Sequence, residues 1–308
     1  MTEMTPNSEK CIATVGLALV DHVYVLESFP TGPEKYFAVS SSDVIGGIAA
    51  NAAKAVAMLG AEAKLVGRVG DDSAGKNISA ELVASGVDVD CLKVRDGHSS
   101  PSSAVLVDAA GERVIVNHKS RELFSDPPEI DFSKLQSVSA ILGDLRWISG
   151  TLSVFKWAKE RDIPTILDFD LCPDEVPQEI LENTSHIIFG ESALKKHVGT
   201  NDLTHAIMLI KQRCPSSDIA VTAGSQGVLF LDEDGTTQHI PSKPVEVVNT
   251  LGAGDVFHGA AALAIAEGQT FEGALQFANN VAALRVSNIK PNHFPSREEV
   301  MNFERITK

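Results

Sequence analysis

Residues 45–85 read IGGIAANAAKAVAMLGAEAKLVGRVGDDSAGKNISAELVAS, and this stretch decides the fold. Apolar residues recur at helical spacing from Asn51 to Leu59, a short apolar run from Lys64 to Val69 reads as a buried strand, and Gly75 to Ser85 is helical again. Helix, buried strand and helix in succession are the signature of a mainly parallel sheet covered by helices. The alternation continues outward on both sides. Further candidate strands are Ile12 to Val20, Ala140 to Leu142, Thr165 to Leu167, His186 to Phe189 and Ile219 to Thr222. Between them lie candidate helices at Leu152 to Arg161, Leu194 to Val198 and Leu203 to Arg213. Right-handed crossovers are expected in such a chain.

Two segments break the rhythm. Val23 to Val44 and Ser103 to Asn117 read as extended chain without helices, and the second carries the polar turn DAAGE between two β-rich runs, as a hairpin does. They are expected to pair as a small separate sheet that serves as a lid over the ligand edge, rather than as edge strands of the main sheet. Two Ala-rich helices, Asp255 to Glu267 and Phe271 to Arg285, follow near the end, and Ser296 with Glu299 forms a capping box for a last helix ending near Ile306. At roughly 150 residues per domain, 308 residues could be two units, but no linker appears. One α/β domain spanning 1–308, with lid segments at about 23–44 and 103–117, is the expectation.

Composition narrows the function. Lys plus Arg number 26 against 41 Asp plus Glu, a formal net charge of -15, and aromatic residues make up 6%. Such a chain repels phosphate backbones and lacks stacking surface, so nucleic acid is excluded as a partner. The opening MTEMTPNSEK is polar and unlike a secretory signal, and the most apolar stretch, Val256 to Gly268, is too short to span a bilayer. A cytoplasmic protein without membrane contact is expected. Cys11, Cys91, Cys172 and Cys214 are scattered without metal-ligand spacing, as reduced thiols are.

The sharpest local chemistry is NTLGAGDVFHGAAALAIAEG, residues 249–268. Gly252, Ala253 and Gly254 are small enough for an anion to approach backbone N–H groups at the positive end of a helix dipole. Asp255 follows at once, beside a site built for negative charge, where it suits a general base better than a cap. A second Gly turn, Gly46 and Gly47, leads into the helix that carries Asn51. Asp21 follows the first strand, where a carboxylate can grip hydroxyl groups at the carboxyl edge of the sheet. Arg146, after the strand ending in GDL, is placed to hold an anion at that same edge or to pair with Asp144. Residues 70–76, GDDSAGK, have P-loop spacing but Asn77 replaces the magnesium-binding Ser or Thr, and Asp71 and Asp72 would repel phosphates, so a loop and helix start is the reading.

Taken together these motifs resemble the phosphofructokinase-B, or ribokinase-like, carbohydrate kinases, from VGLALVDHVYVLESFP through the Gly46–Gly47 region to NTLGAGDVFHGA and the closing NNVAALRVSNIKPNHFPSREEV. The resemblance implies a three-layer α/β sandwich with a small β-sheet lid that often mediates homodimerisation, and phosphoryl transfer from ATP with Mg2+ to a sugar hydroxyl. It implies Asp255 as catalytic base and the 252–254 N–H groups as anion hole. Asp21, Gly46, Gly47 and Asn51 become sugar contacts, and Thr222, Gly224, Gly227 and Asn279 nucleotide contacts. Asn249 stands where the family often has Asp, and Gly190 to Ala193 reads GESA where it often has Asn-x-x-Glu, keeping only Glu191 as a candidate metal ligand; a monovalent cation is also allowed. Through EKYFAV, VIVNHKS, GDLRW and GESA the chain is most similar to the members that phosphorylate the 1-hydroxyl of 6-deoxy-6-sulfofructose. That similarity implies Lys35, Asn117 and Arg146 as sulfonate ligands. Kinases of fructose, ribose or fructose 6-phosphate are the alternatives, with a non-catalytic sugar- or nucleotide-binding regulator behind them. Asp255 argues against the regulator, because binding alone needs no base. Both expected ligands are anions, so local donors must hold them against the global field.

Overall fold

The computed structural model describes residues 9–172, 174–288 and 293–306. Most of the polar opening, and 289–292 of the closing motif, lie outside the described residues. The main sheet contains β1 (Cys11–Gly16), β4 (Glu62–Gly70), β5 (Val87–Asp88), β6 (Leu92–Arg95), β9 (Ala140–Asp144), β10 (Thr165–Phe169), β11 (His186–Gly190), β12 (Asp218–Thr222), β13 (Val228–Leu231) and β14 (Thr237–Ile240). Its order is β14-β13-β12-β11-β10-β9-β1-β4-β5, with β6 also beside β4. Pairing is parallel from β5 to β12 and antiparallel at β13 and β14. The β13–β14 hairpin is absent from the sequence expectation, because each strand has only four residues and β14 is largely exposed.

Successive residues of the central strands feed opposite cores, as the period of two requires. Ile12, Leu65, Ala140 and Leu142 face helices α1 (Ile48–Met58), α2 (Ser73–Ala84), α7 (Ala253–Ala266), α8 (Phe271–Ser287) and α9 (Arg297–Ile306). Cys11, Ala13, Val15 and Ile141 face α3 (Ile148–Lys159), α4 (Gln178–Glu182), α5 (Glu191–Val198) and α6 (Leu203–Arg213). This is the three-layer α/β sandwich expected. All four cysteines are free, with Cys11 and Cys214 buried.

The expected strand Ile12 to Val20 is two strands. The buried Asp144 carboxylate accepts the Leu17 N–H at 2.9 Å just past β1, and the chain turns there into a second sheet. That sheet comprises β2 (Leu19–Val25), β3 (Ser40–Gly46), β7 (Ser102–Val107) and β8 (Arg113–His118), in the order β3-β2-β7-β8. It uses the two segments that break the helical rhythm and is separate from the main sheet, although residues 26–39 between β2 and β3 are irregular. The P-loop lookalike is a helix start: Asp72 caps α2 through Gly75 N–H at 2.8 Å and holds Ser100 N–H at 2.8 Å. At the C-terminal end, Ser296 and Glu299 form the reciprocal capping box.

Candidate active site

Helices α1 and α7 meet through alanine. Ala49, Ala52, Ala53, Ala260, Ala261 and Ala264 are all buried, and a Cβ on Gly259 would come within 2.7 Å of the Ala52 carbonyl oxygen. This close approach brings together side chains 204 positions apart: Asn51 Nδ2 donates to Asp255 Oδ2 at 2.7 Å. Asp255 lies in the first turn of α7, where the N-cap is Gly252, so its carboxylate orients on Asn51 instead of capping the helix. Gly252 has φ +70, and a Cβ there would sit 3.2 Å from Asn51 Nδ2; glycine satisfies both constraints. At the head of α1, Gly47 has φ +101 and a Cβ would lie 2.4 Å from the Leu17 carbonyl oxygen.

The loop leading into α7 is held from beneath by α8. Val248 and Asn249 N–H both donate to the Val286 carbonyl, at 2.8 and 3.1 Å, and Arg285 Nη2 donates to the Leu251 carbonyl at 2.8 Å. Ala253 N–H makes a 3.2 Å turn bond to the Thr250 carbonyl, which an arriving anion would have to replace. Burial, reinforced by the charge of Asp168, pushes the Asp255 carboxyl up to about 7, while the Asn51 amide pulls it down. A group near neutrality can both take and release a proton.

Beneath Asp255 lies a pair that sequence reading did not single out. Asp168, on β10, and His258, three residues after Asp255, are both buried, with Oδ2 and Nδ1 3.1 Å apart. His258 Nδ1 also lies 2.7 Å from the Gly254 carbonyl oxygen, in the same turn as the candidate anion hole. Burial, then the charges of Asp170 and Asp144, holds Asp168 well above the usual carboxylate range, and burial lowers His258. Both are thereby held toward their neutral forms. Their signal in the sequence is position: an acid at a strand's carboxyl end and a His one helical turn from Asp255.

The small sheet covers the other side. Its register aligns Asp21, Ser103 and Asn117 across β2, β7 and β8, and residues directly opposite share a face. Ser103 Oγ donates to the Asp21 carboxylate, which burial raises above its ordinary pKa. A cleft of about 1110 Å³ is lined by Asp21, Gly47, Asn51, Asn117, Arg146, Gly252 and Asp255. Gly46 lies behind it, where a Cβ would strike the Asp21 carboxylate at 2.3 Å. Arg146 pairs with Asp170 at 3.2 Å and donates to the Leu171 carbonyl; Asp144 accepts only its backbone N–H, at 2.8 Å. Lys35 is exposed in the irregular segment between β2 and β3, and it is not among the residues that line the cleft. Lys119 and Arg121, which follow Asn117 at the end of the hairpin, line it as well, and so does Lys196, which the sequence reading did not place in a site.

The nucleotide candidates gather elsewhere along the sheet edge. Thr222 ends β12, Gly224 to Gly227 turn over residues 240–242, and buried Asn279 on α8 donates to the Pro241 carbonyl at 2.9 Å. Pro241 also borders a cavity of about 340 Å³ with Ser242, Lys243, Pro244 and Gln276. Glu191 opens α5 and is ion-paired with Lys195 at 2.5 Å. Among the described residues no three His, Cys, Asp or Glu converge to hold a metal by themselves. A magnesium carried on phosphates needs only one or two carboxylates from the protein, and Glu191 is the carboxylate that stands at the head of α5.

Comparison with known proteins agrees with this geometry. The model of the pfkB family carbohydrate kinases matches residues 10–297. A ribokinase of Bacillus subtilis is 30% identical over 94% of this chain and 97% of its own length. Mouse ketohexokinase is 24% identical over 89% of this chain and 95% of its own. The structure of Arabidopsis thaliana ribokinase complexed with ribose and ATP superposes with a TM-score of 0.85 at 25% identity, covering 97% of this chain and 99% of that one. With a buried carboxylate in the first turn of α7, a Gly-rich turn before it and an open cleft beside it, the chain belongs to the pfkB family and is an ATP-dependent carbohydrate kinase.

Proposed function

We propose that this kinase transfers the γ-phosphoryl group of ATP to the 1-hydroxyl of 6-deoxy-6-sulfofructose. The observation that carries the reading is that Arg146 and Asn117 share one cleft with Asp255 and Asn51, so a cation and an amide donor stand ready for an anionic sugar whose hydroxyl faces the base. Asp255 removes the hydroxyl proton as that oxygen bonds to the γ-phosphorus; the bond to the β–γ bridging oxygen breaks and ADP departs. Gly252, Ala253 and Gly254 N–H groups receive the transferring phosphoryl, the electrostatic stabilisation on which phosphoryl transfer depends. Bound with the nucleotide, Mg2+ would neutralise phosphate charge, with Glu191 the protein group nearest that role by motif. Thr222, Gly224, Gly227 and Asn279 are assigned to the nucleotide, and Asp21, Gly46 and Gly47 to the sugar. Asn249 Oδ1, neutral and already accepting from Arg113 and from the Leu251 N–H, supports turnover without a monovalent cation.

A neutral ketose or pentose is the second reading. It is favoured by the Arg146–Asp170 pair and by Lys119, which is paired with Asp174 at 2.6 Å, because both cations are already partly neutralised. An ADP-release assay across 6-deoxy-6-sulfofructose, fructose, ribose and fructose 6-phosphate decides. The sulfosugar is expected to have the highest kcat/KM, and Arg146→Ala to raise its KM about 10-fold or more with little change for ATP, the size of a hydrogen bond to a charged group. Turnover of an uncharged sugar without turnover of the sulfosugar overturns the assignment, and binding of sugar and ATP without any turnover would favour the regulator.

The small sheet is assigned the role of lid on a single catalytic body. Its far face carries exposed Tyr24, Val114 and Val116, an apolar surface that supports homodimerisation through the lid. Dependence on ATP, and described residues containing no helix long and apolar enough to cross a membrane, support a cytoplasmic site of action.

A further inference from the structure

The lid touches the catalytic loop directly. Arg113 opens β8; its Nη2 donates to Asn249 Oδ1 at 2.6 Å and its Nη1 to Thr250 Oγ1 at 2.8 Å. That same Asn249 oxygen accepts the Leu251 N–H at 3.0 Å, so the amide gripped by the lid also shapes the turn that delivers Gly252. Arg113, Ile115 and Asn117 alternate onto one face of β8, and both Ile115 and Asn117 line the cleft. One rigid strand therefore carries a candidate sugar ligand at one end and a hold on the anion-hole loop at the other.

We propose that Arg113 is a positioning residue that transmits lid position to the anion-hole loop, so that the phosphoryl site takes its working shape when sugar draws the lid down. The inference rests on the kinase reading for its consequence but not for its geometry. Loop 248–251 is held to α8 by backbone-directed bonds at Val248, Asn249 and Leu251. Its two side-chain acceptors, Asn249 and Thr250, are engaged by the lid. The guanidinium spans both in one fork, which an ammonium with its single nitrogen does not.

Two measurements test this on the full-length protein. Hydrogen exchange of peptides covering 248–256, without ligand, should speed up in Arg113→Ala and less so in Arg113→Lys, while exchange in the main-sheet strands stays as in wild type. In turnover, sugar is expected to tighten ATP binding in wild type, and Arg113→Ala should lose that coupling by about 5-fold or more, with a fall in kcat and little change in ATP affinity measured without sugar. Asn249→Ala should lose the coupling at least as far, because it also frees the Leu251 N–H, and the double variant should fall well short of the sum of the two. Unchanged exchange in the loop, or faster exchange with coupling intact, overturns the proposal. A uniform loss of thermal stability and of both binary affinities would make Arg113 merely structural, and that also overturns it. If wild type turns over no sugar, the kinase reading fails, and the exchange measurement still decides whether the lid shapes the loop.

Discussion

Asp255 is lifted to about 7 by burial at the head of α7, against the pull of the Asn51 amide, and that position has two measurable consequences. As a base it must be ionised, so kcat/KM should rise with pH through about 7. The folded-state pKa lies above the ordinary 3.8, so the group favours folding when protonated. Its contribution is complete below the unfolded value and is lost as pH rises through the folded one. Asp255→Asn should therefore lose on the order of 100-fold or more in kcat, yet unfold a few °C higher than wild type at pH 8, with the gap closing as pH falls toward 4. A variant retaining most of its kcat would remove Asp255 from the role of base. The carboxylate after Gly-Ala-Gly was legible because helix start and acid are adjacent in the chain. Its partner Asn51 was legible only as a residue, and Asp168 and His258 only as positions and not as a pair, because a contact across 204 positions, or across the sheet, leaves no periodic trace.

Helices are held in register by what they lack. The α1–α7 crossing depends on alanines and on Gly259, where a Cβ would lie 2.7 Å from the Ala52 carbonyl oxygen, leaving no space for a methyl group. Gly259→Ala should cost about 1–3 kcal/mol through overpacking. By moving Asn51 away from Asp255 it should also lower kcat more than an equally destabilising change on α6 does. Calorimetry with steady-state kinetics checks both, and a variant with wild-type Tm and kcat would show that the helices have slack. At this scale the sequence served well: α6 (Leu203–Arg213) has its expected limits, and α8 starts where expected. The failures are instructive. Ile12 to Val20 looks like one strand because its residues are apolar throughout, but Asp144 diverts the chain at Leu17, and an acid some 127 positions away is invisible in a local window.

The lid sheet sorts its residues by face across the whole molecule. Asp21, Ser103 and Asn117 line up toward the cleft, while Tyr24, Leu106 and Val114 line up on the reverse. Val116 and Val114 there are 64% and 44% exposed, enough to make β8 the apolar part of a surface on a chain of net charge -15. The paired change Val114→Lys with Val116→Lys should convert a particle of twice 32.8 kDa into one of 32.8 kDa by light scattering. Wild type already running at the single mass would end the dimer proposal.

By itself the sequence determined the layered α/β plan, the segments that form the small sheet, and the acid at the head of α7 with the glycine turn before it. Helix and strand periods, and a turn next to its acid, are local properties that a single chain displays. Tertiary structure alone decided that Arg146 pairs with Asp170 rather than Asp144, that Lys35 stands outside the cleft, and that Arg113 joins the small sheet to the loop before α7. Those outcomes depend on the order of strands in the sheet and the spacing of its layers. Crossovers of similar length serve many strand orders, so the distance between two side chains on different elements is set only when the whole sheet closes.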